Sequence, residues 1–309
     1  MALTHHSPID LGGQAFRYAR DWTRLLRPHQ WLKSLLTVPI ALAFVPSVGL
    51  PELASIAATI GLFFVVSSFV YVLNDMADIE RDRRHPDKRH RPLASGRVGR
   101  PAGAFGMALL AAAMVPLALS LPWTVTAVVA LYLAQNVAYS MGMKHVPIVE
   151  MITVATGFAF RAAAGFLAVE LVPGTATVAF VFFASLLVIV CKRRAEFDAG
   201  DDPARHRPVL TRYSKPLLGN YVAIASVLAL ISAAVAVRRV ANSHSLEGLA
   251  MLTTPFLVYG LFRFVQAAYV DGDTGNPTKL VAKDAGIRWA GLAWIVVASG
   301  WIVAHAGWL

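Results

Sequence analysis

A chain of 309 residues that is 57% apolar and 15% charged lies far from soluble domains, which run near about 45–50% apolar and about 25% charged. The balance implies a polytopic membrane protein and excludes a soluble globular enzyme. The net charge of +10 needs a reason, and the single cysteine, Cys191, excludes an internal disulfide or a cysteine-held metal.

Residues 1–30 read as an interfacial cytoplasmic segment ahead of one transmembrane domain over 31–309. The start, MALTHHSPIDLGGQAFRYARDWTRLL, lacks an early apolar core and a small-residue cleavage site, so no cleavable signal peptide is expected. Phe16, Trp22, Leu25 and Leu26 set against Arg17, Arg20, Arg24 and Arg27 predict an amphipathic helix lying on the membrane surface.

A helix needs about 20 apolar residues to cross the hydrocarbon core. Nine stretches qualify, near 31–49, 52–73, 102–120, 122–141, 148–169, 174–191, 216–237, 247–270 and 287–307, with Pro39 and Pro46 interrupting the first. They predict an all-α polytopic bundle. With nine spans, the N-terminus and the loops after the second, fourth, sixth and eighth share a side. That side holds 24 of the 28 Lys and Arg residues. The positive-inside rule makes it cytoplasmic. Topology thus accounts for the basic charge, and no nucleic-acid partner is needed. Every unusual polar cluster falls on this same face, which predicts one site there.

Asn74, Asp75, Asp78 and Asp82 form N-D-x-x-D-x-x-x-D at the end of the second span. If the helix continues past Tyr71, the aspartates fall at i, i+3 and i+7 on one stripe. No stripe of bases at i+4 neutralises them all, so such a group needs a cation. Oxygen-only ligands suit Mg²⁺ shared with substrate phosphates. The bland alternative is a solvated helix end with local ion pairs. Of the bases from Arg81 to Arg91, most are expected on any cytoplasmic loop, while Lys88 and Arg89 are the pair expected to clamp a phosphate.

Tyr139, Lys144 and His145 close the fourth span and, alone, would be an interfacial anchor. Arg161 lies deep in the fifth span, within FAFRAAAGF. A charge at that depth is costly, so a ligand phosphate or an acid from another helix must answer it. Arg263 lies nearer its span's end and can snorkel, a structural role. Lys192 and Glu196 are an i, i+4 pair, and Asp198 with Asp202 forms a D-x-x-x-D able to hold a second Mg²⁺. HRP at 206–208 echoes 90–92, as two similar half-bundles would. His29, His145 and His206 are scattered and carry no catalytic assignment.

NDMADIERD followed by RPLASGR resembles the first aspartate-rich motif of the UbiA superfamily of intramembrane prenyltransferases. The likeness runs from about Arg27 to Asp284. RPHQWLKS at Arg27–Ser34, Y-x4-KH at Tyr139–His145, RA-x-AG at Arg161–Gly165 and KR-x-AE at Lys192–Glu196 are similar to the decaprenyl-phosphate phosphoribosyltransferase branch. Ser34 stands where that branch has Asn, and Lys279 where many relatives carry an acid.

The resemblance implies a nine-helix bundle around a membrane-embedded cavity, capped on the cytoplasmic side of the cell (inner) membrane. It implies Mg²⁺ on Asp75, Asp78 and Asp82, with Lys192 alongside them in catalysis. In this branch the diphosphate belongs to phosphoribosyl pyrophosphate, and polyprenyl phosphate is the nucleophile, feeding cell-wall arabinan synthesis. In the usual members a prenyl diphosphate reacts with an aromatic acceptor. Lys144, Arg161, Lys192 and Arg193 would position phosphates, and Lys33 would meet the lipid headgroup. Asn74, Tyr139 and Glu196 complete the expected substrate contacts. Self-association, as a homotrimer, is the expectation for assembly.

Overall fold

The computed structural model describes residues 11–45, 48–84, 88–198, 208–243, 248–270, 280 and 283–305. Helix α1 (Leu11–Leu26) has the expected amphipathic pattern. Its apolar face, however, is turned largely onto protein. Trp22, Leu25 and Leu26 pack with Val72, Ile79, Leu93 and Val98, while Phe16 and Tyr18 remain exposed. The approach depends on Gly106, where a Cβ would overlap the Trp22 ring.

A short 3-10 helix, Pro28–Gln30, and α2 (Leu32–Thr37) follow, then a second 3-10 helix, Val38–Phe44. The stretch expected as the first span is therefore not one continuous helix. Pro39 has no N–H to give to an α-helical ladder, and the chain tightens into 3-10 geometry there. Gly165 lies against the Val38 backbone, with no room for a side chain between them.

α3 (Leu50–Ala77) has 28 residues. At 1.5 Å per residue that is roughly 42 Å, well beyond the roughly 30 Å hydrocarbon core. One helix can thus cross the membrane and still carry Asn74 and Asp75 out at its end. It breaks at Asp78 (φ −100°, ψ 8°) and resumes as α4 (Ile79–Arg84).

Seven helices complete the described chain: α5 (Arg100–Leu119), α6 (Trp123–Met141), α7 (Val149–Ala168), α8 (Thr175–Asp198), α9 (Lys215–Ser243), α10 (Leu249–Tyr269) and α11 (Ala285–His305). No strand occurs among the described residues. Six helices, α3 and α5 through α9, are long and apolar enough to cross a membrane. α10 and α11, of 21 residues each, lie where the last two spans are expected.

α7 is the hub. Its apolar window is 61% buried against 11% for α5, which faces outward. Ala155, Gly157, Ala159, Ala162, Ala164 and Gly165 keep its surface small, so neighbouring backbones can approach closely. Its first half joins Leu187, Val190, Leu210 and Leu218, and its second half joins Val38, Phe63, Val66 and Val125. Both apolar clusters are therefore registered on one helix, and Arg161 lies between them.

Candidate active site

The end of α3 is acidic, and the structure supplies a base for each acid. Arg27 Nη2 donates to Asp75 Oδ1 at 2.6 Å. Arg91 Nη1 donates to the same oxygen at 3.0 Å and to Asp82 Oδ2 at 2.7 Å. Lys144 Nζ reaches both Asp78 oxygens, at 3.0 and 2.8 Å. Asp75 and Asp82 are buried, whereas Asp78 at the helix break is partly open. The expected stripe of unneutralised carboxylates is corrected on this point. Its bases, Arg27, Arg91 and Lys144, come from 9 to 66 residues away, beyond any i, i+4 reading.

Arg27 is placed by its backbone. Its φ of 53° and ψ of 59° put it in the left-handed region, an uncommon place for a non-glycine residue. That turn reverses the chain between α1 and the 3-10 helix and lays the following residues along α3. Arg27 covers the Tyr71 ring at 4.8 Å, and Trp31 stacks on Phe64 at 4.7 Å and donates to Ser68 Oγ.

These side chains line a cleft of about 430 Å³, walled by Arg24, Arg27, His29, Asp75, His90, Arg91 and Pro92. Three guanidiniums and two imidazoles against one carboxylate and Pro92 make it a predominantly basic cleft suited to an anion. Burial, then the charges of Arg27 and Lys33, hold His29 below the ordinary imidazole value. Burial, then Arg81 and Lys144, do the same to His145.

Deeper in the bundle, Arg161 is buried and meets no described carboxylate. It donates to Ser34 Oγ (3.1 Å), the Gly157 carbonyl (2.9 Å), Ser67 Oγ (3.2 Å) and Tyr132 Oη (2.6 Å). Its charge also lies over the Tyr132, Phe63 and Phe158 rings. Neutral hydroxyls and π-faces answer it in place of the expected acid. Lys33 Nζ lies 5.6 Å from the same Phe158 ring, and the charges of Arg161, Lys192 and Arg27 all act on it. Lys33 thus links the interior cation to the cleft.

Other expected site residues are placed differently. Arg193 is buried and forks onto the fully buried Glu150, with Nε–Oε1 2.7 Å and Nη2–Oε2 2.8 Å, and its Nη1 reaches Glu196 at 2.8 Å. Tyr139 lies within electrostatic reach of this group. Lys192 stands 4.0 Å from Glu196, the i, i+4 pair read from the sequence. Arg89 is exposed and bonds His90 Nε2 at 3.2 Å, and Lys88 lies in the same short 3-10 turn. Neither lines the cleft; Arg91 does. Asn74 caps nothing with its side chain, though its carbonyl accepts from the Asp78 N–H.

Asp198 pairs with Lys215 at 3.1 Å, and Asp202 lies outside the described residues. Residues 271–279, Lys279 among them, also lie outside the described residues, while Asp284 is held by Arg263 at 2.6 Å. Arg263 is thus anchored structurally, as expected, through an ion pair. The residues missed by sequence reasoning are Arg27, Arg91 and Glu150. Arg27 and Arg91 were visible in RPHQW and RPLASGR, but nothing local marked their targets.

Among the described residues no three acidic, histidine or cysteine side chains lie close enough together to hold a metal ion. The chemistry of the donor set nevertheless fits Mg²⁺. Arg91 Nη1 lies between Asp75 and Asp82 oxygens, so a positive charge is already held by hard carboxylate oxygens of the kind that suit Mg²⁺.

The UbiA prenyltransferase family model matches residues 34–287. The chain belongs to the UbiA prenyltransferase family. Among UbiA relatives, a decaprenyl-phosphate phosphoribosyltransferase of Mycolicibacterium smegmatis is 31% identical, over 88% of this chain and 89% of that one. One of the same description from Mycobacterium tuberculosis (strain H37Rv) is 29% identical, over 88% and 91%. A UbiA homologue of Archaeoglobus fulgidus, solved with DMAPP and Mg²⁺, superimposes with a TM-score of 0.68 over 94% of this chain and all of that one, at 16% identity. That likeness establishes the UbiA fold, an all-α membrane bundle.

Proposed function

We propose that this UbiA protein transfers the 5-phosphoribosyl group from phosphoribosyl pyrophosphate to a polyprenyl phosphate, decaprenyl phosphate in the first instance. Pyrophosphate is released, Mg²⁺ is required, and the product serves cell-wall arabinan synthesis. The reaction takes place on the cytoplasmic side of the inner membrane. One observation carries the choice of donor. The cleft beside Asp75 is walled by five basic side chains, Arg24, Arg27, His29, His90 and Arg91, against one carboxylate. A compact sugar with a phosphate at each end uses more of that basic wall than a prenyl diphosphate, which carries its charge at one end. The names of the mycobacterial relatives support the same reading.

Four acid–base contacts organise the chemistry. Asp75, Asp78 and Asp82 would hold Mg²⁺, which when bound neutralises the charge of the leaving diphosphate. Arg27, Arg91 and Lys144 now hold those same carboxylates. With Mg²⁺ on those acids, Arg27, Arg91 and Lys144 would turn to the diphosphate oxygens, exchanging ion pairs so that no charge is stranded. Lys33 and Arg161, sharing Phe158, receive the lipid phosphate from the membrane side. Its oxygen bonds to ribose C1 as the bond from C1 to the pyrophosphate oxygen breaks, the electron pair leaving with pyrophosphate. The nucleophile is already an anion, so no strong general base is needed.

The test uses purified protein with Mg²⁺, decaprenyl phosphate and phosphoribosyl pyrophosphate labelled in the ribose. Labelled lipid that disappears with EDTA is the expected result. No labelled lipid, with prenylation of an aromatic acceptor from a prenyl diphosphate, would make the protein a conventional prenyltransferase.

A further inference from the structure

The cleft has two ends. At the inner end Arg27 and Arg91 close on Asp75. At the outer end stand Arg24 and His29, which also border a neighbouring groove with Phe16, Ala19, Arg20, Thr23 and Pro28. Arg24 pairs with no described carboxylate, unlike the two inner arginines. The outer end is also held at a set distance from the inner one. Arg97 Nε donates to both Asp21 oxygens at 3.0 Å, and its Nη2 donates to the His90 carbonyl at 2.8 Å. One side chain therefore ties α1, three residues before Arg24, to the loop that carries Arg91. The left-handed Arg27 turn folds His29 back beside Arg24.

A diphosphate engages the aspartate end. A cation without an acid at the opposite end then calls for a second anionic group on the same ligand. We infer that Arg24 and His29 form a second-phosphate subsite that binds the 5-phosphate of the donor and selects a sugar with a phosphate at each end over a mono-ended diphosphate. This inference rests on the phosphoribosyl reading above. Arg24 contributes a planar fork suited to phosphate oxygens, and His29 contributes a ring N–H.

Detergent-solubilised full-length protein is assayed for displacement of labelled phosphoribosyl pyrophosphate by two probes separately, ribose 5-phosphate and Mg²⁺-pyrophosphate. In the wild type both displace it. Arg24→Ala should weaken ribose 5-phosphate about 10-fold, the scale of one charge-assisted contact, and Arg24→Ala/His29→Ala more. Pyrophosphate should stay within about twofold in both, and Arg24→Lys should recover part of the loss. Equal weakening of both probes, or none for ribose 5-phosphate, overturns the subsite. If the wild type binds pyrophosphate but neither ribose 5-phosphate nor the labelled donor, the phosphoribosyl reading itself falls. Arg24 is exposed, so thermal melting of the variants should match the wild type and keep the comparison clean.

Discussion

Arg193 grips Glu150 with two parallel hydrogen bonds of 2.7 and 2.8 Å, and neither side chain is more than 4% exposed. The pair clamps the start of α7 to the end of α8 beside the candidate site. Arg193 was expected to position a phosphate, but its fork is already filled.

Removing one partner of such a pair strands the other charge, at a cost of about 3–5 kcal/mol. Glu150→Ala should therefore lower the melting temperature steeply, and Glu150→Leu/Arg193→Met much less. Thermal unfolding in detergent separates the two. A Glu150→Ala protein with wild-type melting and no activity would instead return Arg193 to the substrate.

Metal and diphosphate should bind cooperatively, because each alone strands the partners of Asp75 and Asp82. Electron paramagnetic resonance with Mn²⁺ should show weak binding that tightens at least about 10-fold with pyrophosphate, a coupling near the usual range. Arg91→Ala should tighten Mn²⁺ alone and flatten that coupling, while Asp75→Ala should abolish binding and turnover. Unchanged Mn²⁺ affinity in Arg91→Ala would remove arginine from the metal position.

Lys144 and Asp78 form a partly buried pair, with 15% and 24% side-chain exposure. Exposed pairs contribute about 0–1 kcal/mol to stability, and this one keeps solvent contact on both sides. Lys144→Ala should thus leave melting nearly unchanged yet lower kcat/KM by about 10²-fold, as loss of a transition-state charge contact does. A stability loss like that of Glu150→Ala, with activity preserved, would make this contact structural.

His29 is held below the ordinary imidazole value by burial and by Arg27 and Lys33, so it is neutral near pH 7 in the free protein. A bound phosphate dianion favours its charged form, and binding then takes up a proton. Affinity should accordingly fall as pH rises from below the lowered imidazole value of the free protein to above the raised value of the complex. Arg24, Arg27, Lys33 and His90 face the same ring and share this background, and the ligand ionises too. The ratio of wild-type to His29→Ala affinity for ribose 5-phosphate cancels both. It should grow as pH falls; a flat ratio means that His29 does not touch the ligand.

Gly165 has no space for a Cβ against the Val38 backbone. Gly165→Ala should displace the 3-10 segment after α2, and with it Ser34, a partner of Arg161. A fall in melting temperature together with a raised KM for the lipid phosphate is the expected pair of results. An unaffected melting temperature would show that the segment moves freely.

Much of this protein was legible from its sequence alone. Membrane spans are local, since about 20 apolar residues suffice to mark one, so the six helices able to cross overlap the expected stretches. The first stretch failed because Pro39 breaks helical hydrogen bonding in a run that hydropathy alone reads as continuous. The sequence also marked Asp75, Asp78, Asp82 and Arg161 as costly where they lie, and cost is readable without a partner. Partners are not. Arg27 meets Asp75, Lys144 meets Asp78, Glu150 meets Arg193 and Ser34 meets Arg161 across 48, 66, 43 and 127 residues. Ion pairing acts over a few ångströms while chain separation is counted in tens of residues, so only the packing of helices against one another decided which charge each acid would hold.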